Sequence, residues 1–414
     1  MSSTTKAINS NESRYARVAG WLYRNRDKLI LLLKTLFIVS LSILTITKPI
    51  YEWDLLAYMG NAMGVAQNVS PSDLHATVYQ AIKTGVPPDD YARLIGSPSR
   101  LILSKDPEAF SQTLAFFYDA RIIYIRIMST LLELGFKPVF AFYFFSTLCV
   151  ILSYLLLSRL IPVAIPMGMH IVLPFITMAF GLMYVARLAT PDALAALCTI
   201  GLYFLLFRNR MYCLLLLLPV LIFVRSDLIL LTGLFYLYFL GTNRAPKILV
   251  LLSLITTIAA YGVLNYFLIE ADPWSSLIGY NFGEKPTHPS DYNFPITVTD
   301  YMGYLWQGIL SFSYAPMVFV FAVFSISGTI LLTMRYVKAS GNINMSQLQR
   351  DLLFLFLSGI AYFILHFLLF PVSWLRFFAA QYTLAATVVC WCLFSLHSMQ
   401  HRDPRKGLGF LRQT

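Results

Sequence analysis

The stretch KPIYEWDLLAYMG, residues 48–60, sets two carboxylates, Glu52 and Asp54, among Tyr51, Trp53 and Tyr58 directly after a long apolar run. Aromatic side chains are at home where a chain leaves a membrane. A pair of carboxylates there needs a chemical reason. Few other ionisable residues border the apolar segments: Arg121 and Arg126, Arg187, Asp192, Arg225, Asp227, His366 and Arg376, with Lys34 inside the first apolar run. Such a group costs about 2.5–3.5 kcal/mol at mid-membrane on insertion scales, so it faces a cavity or a partner. A carboxylate takes a proton from an attacking hydroxyl. A guanidinium is planar, permanently charged and matched to phosphate oxygens. Together these are the parts needed to move a group from a lipid-borne phosphate to a hydroxyl.

Each residue also has a plainer role open to it. Asp192 follows Thr190-Pro191 and suits a helix start. Arg376 has a stem long enough to snorkel. Arg225 and Asp227 can pair, His366 can sit satisfied in a core, and Asp54 can cap an interfacial helix. Their common side of the membrane is the stronger observation, because structural pairs have no reason to keep to one leaflet.

The elements that must hold these groups are apolar helices. Hydrophobic residues make up 58% of the 414-residue chain and charged residues 12%, against about half and a quarter in soluble domains; mean hydropathy is +0.67. Crossing roughly 30 Å of hydrocarbon takes about 20 helical residues. The apolar runs predict an all-α polytopic membrane protein with about ten spans, near 29–47, 138–158, 161–183, 189–207, 211–224, 227–240, 247–268, 314–334, 352–370 and 377–397. Residues 1–28 then form a polar, basic cytoplasmic tail, 29–397 the membrane domain and 398–414 a basic cytoplasmic tail. The first span has neither the placement nor the cleavage pattern of a signal peptide and is expected to be retained.

The net charge of +11 reports topology rather than nucleic acid. With the N-terminus inside, cytoplasmic segments hold 18 of the 31 Lys and Arg and four of the 20 acids, the positive-inside asymmetry. That balance requires residues 211–240 to form two short spans, each of about 14 residues and roughly 21 Å, with the tip Arg225-Ser226-Asp227 below the outer surface. Two outer loops are long, 48–137 and 269–313. In the first, Leu55, Tyr58, Met59, Ala62 and Val65 fall on one helical face and predict a helix lying in the interface; YDARIIYIRIMSTLLELG predicts a second. No fixed-period repeat is present, which argues against an inverted-repeat transporter. All five cysteines, Cys149, Cys198, Cys213, Cys390 and Cys392, lie in apolar segments, leaving none in the polar loops for disulfides or a thiolate metal site. Without loop cysteines or retention signals, the expected location is a bacterial inner membrane with the site facing the periplasm.

At this point the chain resembles the GT-C superfamily of membrane glycosyltransferases, which includes the protein O-mannosyltransferases and the lipid A aminoarabinose transferases. The resemblance rests on YEWDLLAY after the first span, DARIIYIRIMSTLLELG before the second, ATPDALAALCTIGLYFLL entering the fourth, VRSDLILL at the short hairpin and FPVSWLRFFAAQY before the last. It implies a polyprenyl- or dolichyl-phosphate sugar as donor and a glycan, lipid or protein acceptor at the outer face. Asp54 occupies the position of the acid that activates the acceptor, with Glu52 beside it, and Arg376 that of the arginine meeting the donor phosphate. Many members carry Asp-Glu where this chain has Glu52-Trp53-Asp54, and Arg-Tyr-x-x-Pro where it has Arg376-Phe377-Phe378. The remaining substrate-binding candidates are Arg225, Arg187, Asp192, Asp227, Tyr58, Arg121 and His366. No cofactor is expected. Some members bind a divalent metal, and Glu284, His288, Asp291 and Asp300 offer oxygen and imidazole ligands, but solvated loop acids are the simpler reading and no metal is expected. The competing function is a non-catalytic transporter or flippase of lipid-linked sugars, or a structural subunit of an envelope-polysaccharide complex. A flippase would line both leaflets with polar groups.

Overall fold

The structure, a computed structural model, describes residues 24–67, 70–160, 167–267, 296–312, 347–372 and 374–400, with isolated residues at 21, 278–279, 281–282, 323, 326–328 and 330. Every regular element among the described residues is a helix. Among the described residues, five helices are long and apolar enough to cross a membrane: Arg26–Thr47 (α1), Pro138–Leu160, Lys247–Tyr266, Gln347–Leu369 and Leu375–Phe394. They mark a membrane protein. Shorter apolar helices lie at Gly168–Ala179, Asp192–Phe207, Met211–Val224 and Ser226–Gly241. The expected span at 314–334 falls almost wholly outside the described residues.

Between α1 and the next long helix the chain folds into six short ones: Trp53–Gln67 (α2), Pro71–Gly85 (α3), Pro88–Ile95 (α4), Pro98–Leu103 (α5), Pro107–Phe117 (α6) and Ile122–Glu133 (α7). Proline opens four of them, because its fixed φ and missing N–H suit the first turn. Ser70 and Asp106 cap two, accepting from Asp73 N at 3.2 Å and from Glu108 and Ala109 N at 3.0 Å. Gly135, at φ 85°, closes α7 in a left-handed turn, and α8 (Pro138–Leu160) follows.

The expected interfacial helix differs from what is found. Trp53 and every residue of α2 from Leu55 to Met63 are buried, Leu56, Ala57 and Met59 completely, while Val65 is exposed. The one-faced pattern missed this because α3, α6 and α7 cover α2 on its other sides. Gly60 permits the approach of α6: a Cβ there would stand 2.6 Å from Leu114 Cδ1. A helix so enclosed is a rigid base for Asp54.

The third apolar run is broken. Its described part forms α9 (Met167–Ala179), turns at Gly181 and continues as α10 (Leu182–Ala186). Gly181 has φ 99°, and a Cβ there would lie 3.1 Å from Ala379 Cβ. The turn therefore lets α10 pack beside the start of the last helix. Next come α11 (Asp192–Phe207), α12 (Met211–Val224), α13 (Ile229–Gly241) and α14 (Lys247–Phe267). Residues 211–241 are two helices, and they reverse direction. Ser253 of α14 donates to Leu215 O at 2.6 Å and lies 2.7 Å from the Tyr236 hydroxyl, so residues ten or so before and after Arg225 share one level. α15 (Val298–Phe312), α16 (Gln347–Leu369) and α17 (Leu375–Gln400) complete the chain. α17 is central, with 72% of its apolar window buried, and α1 peripheral, with 17%.

Candidate active site at one end of the bundle

The connector from α1 into α2 is pinned from three directions. Ile50 N donates to Arg187 O at 2.9 Å, Tyr143 OH to Ile50 O at 3.1 Å, and Arg187 Nε to Lys48 O at 2.6 Å. Glu52 and Asp54 are thereby held over the junction of α10, α11 and α17. The carboxylates and arginines expected to share one side come together here from segments up to 324 positions apart.

Arg376, in the first turn of α17, is the hub. Its Nη1 donates to Asp54 Oδ2 at 2.5 Å and to Glu52 Oε2 at 3.3 Å, and its Nε lies 3.7 Å from Asp192 Oδ2. Asp192, the first residue of α11, is 4% exposed and accepts from Thr190 Oγ1 at 2.7 Å and Arg225 Nη1 at 2.6 Å. It does not cap its own helix by a side-chain bond. Arg225 then grips Asp227 with two parallel bonds, Nε to Oδ1 at 3.0 Å and Nη2 to Oδ2 at 2.7 Å. Tyr362 OH donates to the same Oδ2 at 2.8 Å, and His366 Nε2 lies 3.5 Å from it. The result is an alternating line, Asp54–Arg376–Asp192–Arg225–Asp227–His366. Phe377 stands between the two guanidinium groups, 4.4 Å from that of Arg225 and 5.5 Å from that of Arg376.

Four carboxylates face two arginines, and solvent reaches them unequally. Arg225 is 5% exposed and has three nitrogens on carboxylates, so in this arrangement it braces Asp192 and Asp227. Glu52 is the most open, with 36% of its side chain exposed against 18% for Asp54. Burial raises the Glu52 carboxyl above its usual range; Arg376 pulls it back and Asp54 pushes it further up. Tyr184 OH donates to Glu52 Oε1 at 3.1 Å, and burial, then Glu52 itself, pushes that phenol up to about 12. It stays a donor at neutral pH.

Arg121, Arg187 and Tyr58 ring this core without joining it. Arg121 donates through Nη1 to Phe117 O, and Arg187 donates through Nε to the Lys48 carbonyl. Tyr58 is buried edge-on between Tyr118, at 5.0 Å, and Tyr124, at 5.2 Å. His366 packs on Phe377 and Phe378. Of the loop residues considered for a metal, Glu284, His288 and Asp291 lie outside the described residues. Asp300 serves as a helix cap, accepting from Thr297 N at 3.1 Å.

Sequence reasoning missed Tyr118, which donates to Asp54 Oδ1 at 3.0 Å, Tyr184 on Glu52 and Tyr362 on Asp227. It also missed Asp119, which accepts from Asn61 at 2.6 Å. DARIIYIR, quoted for its arginines, begins with that aspartate. Comparison of the chain with protein families, with curated proteins and with solved structures finds no match.

Proposed function

We propose that the chain is a GT-C-type glycosyltransferase that moves a sugar from a polyprenyl-phosphate-type lipid to an acceptor hydroxyl at the outer face of a bacterial inner membrane. It would do so on about ten spans, with both termini cytoplasmic and long outer loops at 48–137 and 269–313. The observation that carries this reading is the contact of Arg376 with both Asp54 and Glu52 at one end of the bundle. A guanidinium suited to phosphate there touches a carboxylate suited to deprotonate a hydroxyl.

The contact also gives an order of events. Without donor, Arg376 is spent on Asp54. A sugar phosphate drawing the guanidinium onto its own oxygens leaves Asp54 free to meet the acceptor hydroxyl. The acceptor oxygen then attacks the anomeric carbon from the face opposite the phosphate. The carbon–oxygen bond to phosphate breaks with its electron pair on the phosphate, configuration inverts, and the hydroxyl proton passes to Asp54. Arg376 meets the charge that develops on the leaving oxygen. Arg187 and Arg121, each bound to a backbone carbonyl, are the further cations at the rim. Asp192, Arg225, Asp227, Tyr362 and His366 fix Arg376 from below.

The test is Asp54→Asn at the native locus, with membrane abundance followed by immunoblot and surface glycans and lipid-linked sugars profiled beside wild type and a deletion. Loss of a positioned base lowers rates by roughly 10²–10⁴-fold, so the variant is expected at normal abundance with the deletion's glycan profile and accumulated donor. An unchanged profile removes the transferase reading and leaves a transporter or structural subunit.

A further inference from the structure

The end of the bundle away from Asp54 carries a second charged cluster, of one sign. The rings of Phe37 of α1 and Tyr154 of α8 meet at a tilt of 48° with centroids 4.4 Å apart, which fixes the register of these antiparallel helices. Lys34 lies one turn before Phe37 and Arg159 about one turn after Tyr154, so both cations reach one level, and their charges act on each other. α9 packs against both helices and places His170 where Lys34 and Arg26 act on it. The His170 ring is 7% exposed, and its Nδ1 has no hydrogen-bond partner among the described residues. Arg208, past the end of α11, donates through Nη2 to the Arg159 carbonyl at 2.7 Å and adds another guanidinium. Among the described residues no carboxylate pairs with Lys34, Arg159 or Arg208. Asp27, in the first turn of α1, is exposed.

Gathered cations repel, and Lys34 stands two turns inside an apolar helix, where a charge is costly. Such a cluster calls for an anion. Which anion follows from its surroundings. Arg159 ends an outward stripe of α8: Phe144, Leu148 and Leu152 are 38–41% exposed, and residues seven apart share a helical face. On α1, Val39 and Ile43, which follow Lys34 toward the membrane interior, are 49% and 57% exposed. An anion with two apolar chains fits both halves, its phosphate between the cations and its chains along the stripes. We propose that α1, α8 and α9 form a headgroup site for an anionic phospholipid of the inner leaflet, with Lys34 and Arg159 on the phosphate and His170 beneath it. Basic pockets between membrane helices on the cytoplasmic side suit such headgroups. The site stands independently of the transfer reading.

The experiment uses the full chain, purified in mild detergent and stripped of lipid. Adducts are followed by native mass spectrometry and thermal melting on titration with phosphatidylglycerol, phosphatidylcholine or inorganic phosphate. Wild type is expected to keep one phosphatidylglycerol and melt several degrees higher with it, as any ligand of the folded state produces. Lys34→Gln with Arg159→Gln is expected to weaken binding by at least about tenfold. Arg24→Gln with Lys28→Gln, exposed cations of the same end, is expected to bind as wild type. Lys34→Arg keeps the charge and is expected to retain the adduct, which separates lost binding from lost folding. Equal retention of phosphatidylcholine, or equal loss in the Arg24/Lys28 pair, overturns the site in favour of general snorkelling. A full shift with inorganic phosphate alone overturns the lipid as occupant.

Discussion

Two buried ion-pair clusters sit at opposite ends of this bundle, and their difference separates a site from a strut. At the end away from Arg376, Asp351, 4% exposed, accepts from Arg244 Nη2 at 2.6 Å, Tyr238 OH at 2.6 Å and Gln347 Nε2 at 2.9 Å. Arg244 also holds Asn209 Oδ1 at 2.9 Å. One acid meets one base, neutral donors fill the other positions, and the loops on either side of the α12–α13 hairpin are tied to α16. At the end that holds Arg376 the same chemistry is left unbalanced. Arg376 serves three carboxylates, and Glu52 remains open to solvent. A balanced, closed pair has nothing to offer a substrate; an acid-rich and partly open one does.

The largest effect that can break this contrast is Arg376→Ala. It leaves Asp54, Glu52 and Asp192 without their common cation, and a buried pair deprived of one partner costs about 3–5 kcal/mol. If the chain transfers a sugar as proposed, loss of a preorganised donor to the leaving phosphate costs on the order of 10²–10³-fold in rate. Reduced abundance and no detectable transfer are both expected. Arg376→Lys sharpens the result. An ammonium keeps the charge but cannot span Asp192 through Nε and Asp54 through Nη1, so abundance returns and rate does not. Full recovery of transfer from lipid-linked sugar by Arg376→Lys would make the guanidinium a strut like Arg244.

Asp351→Asn is the counterpart at the other end, with an effect on one axis only. Removing the charge opposite Arg244 costs about 3–5 kcal/mol, seen as a lower melting midpoint in detergent. Transfer per folded molecule is expected to stay at the wild-type level, because Asp351 lies at the end remote from the carboxylates of the site. A fall in specific activity with unchanged melting would reverse the assignment of the two clusters.

How these clusters relate to the sequence is instructive. Glu52, Asp54, Asp192, Arg225, Asp227, His366 and Arg376 were legible as a group, since a charge bordering an apolar run is rare and helix direction assigns each to an end. Helix starts at Pro71, Pro88, Pro98, Pro107 and Pro138 were written in the same way, by a residue that admits few conformations. Asp351 shows the limit. It closes a segment that reads as an ordinary polar loop, and its partner Arg244 is 107 positions away, a pairing set by how α13 meets α16 rather than by either neighbourhood. Tyr118, Tyr184 and Tyr362 were illegible for another reason. The chain has 25 tyrosines, interfacial ones are common, and only packing distinguishes a phenol on a carboxylate from one anchoring a helix.

The smallest expected effect is the most specific to the open cluster. Glu52 is pushed by burial toward holding its proton, against the pull of Arg376. The folded chain therefore keeps that proton at a pH where the unfolded chain has released it. The associated stability is complete below the ordinary glutamate range and is lost as pH rises through the raised value. Glu52→Gln is neutral throughout and has no such loss. Its melting point relative to wild type should therefore climb from acid to neutral pH. The climb stays well under the roughly 1.4 kcal/mol of one full pKa unit, because solvent screens a side chain 36% exposed. Paired melts across about pH 4 to 8 read it directly. A relative stability that falls with pH instead would mean that Arg376 outweighs burial at Glu52, making the Arg376 cluster as tightly compensated as the clamp at Asp351.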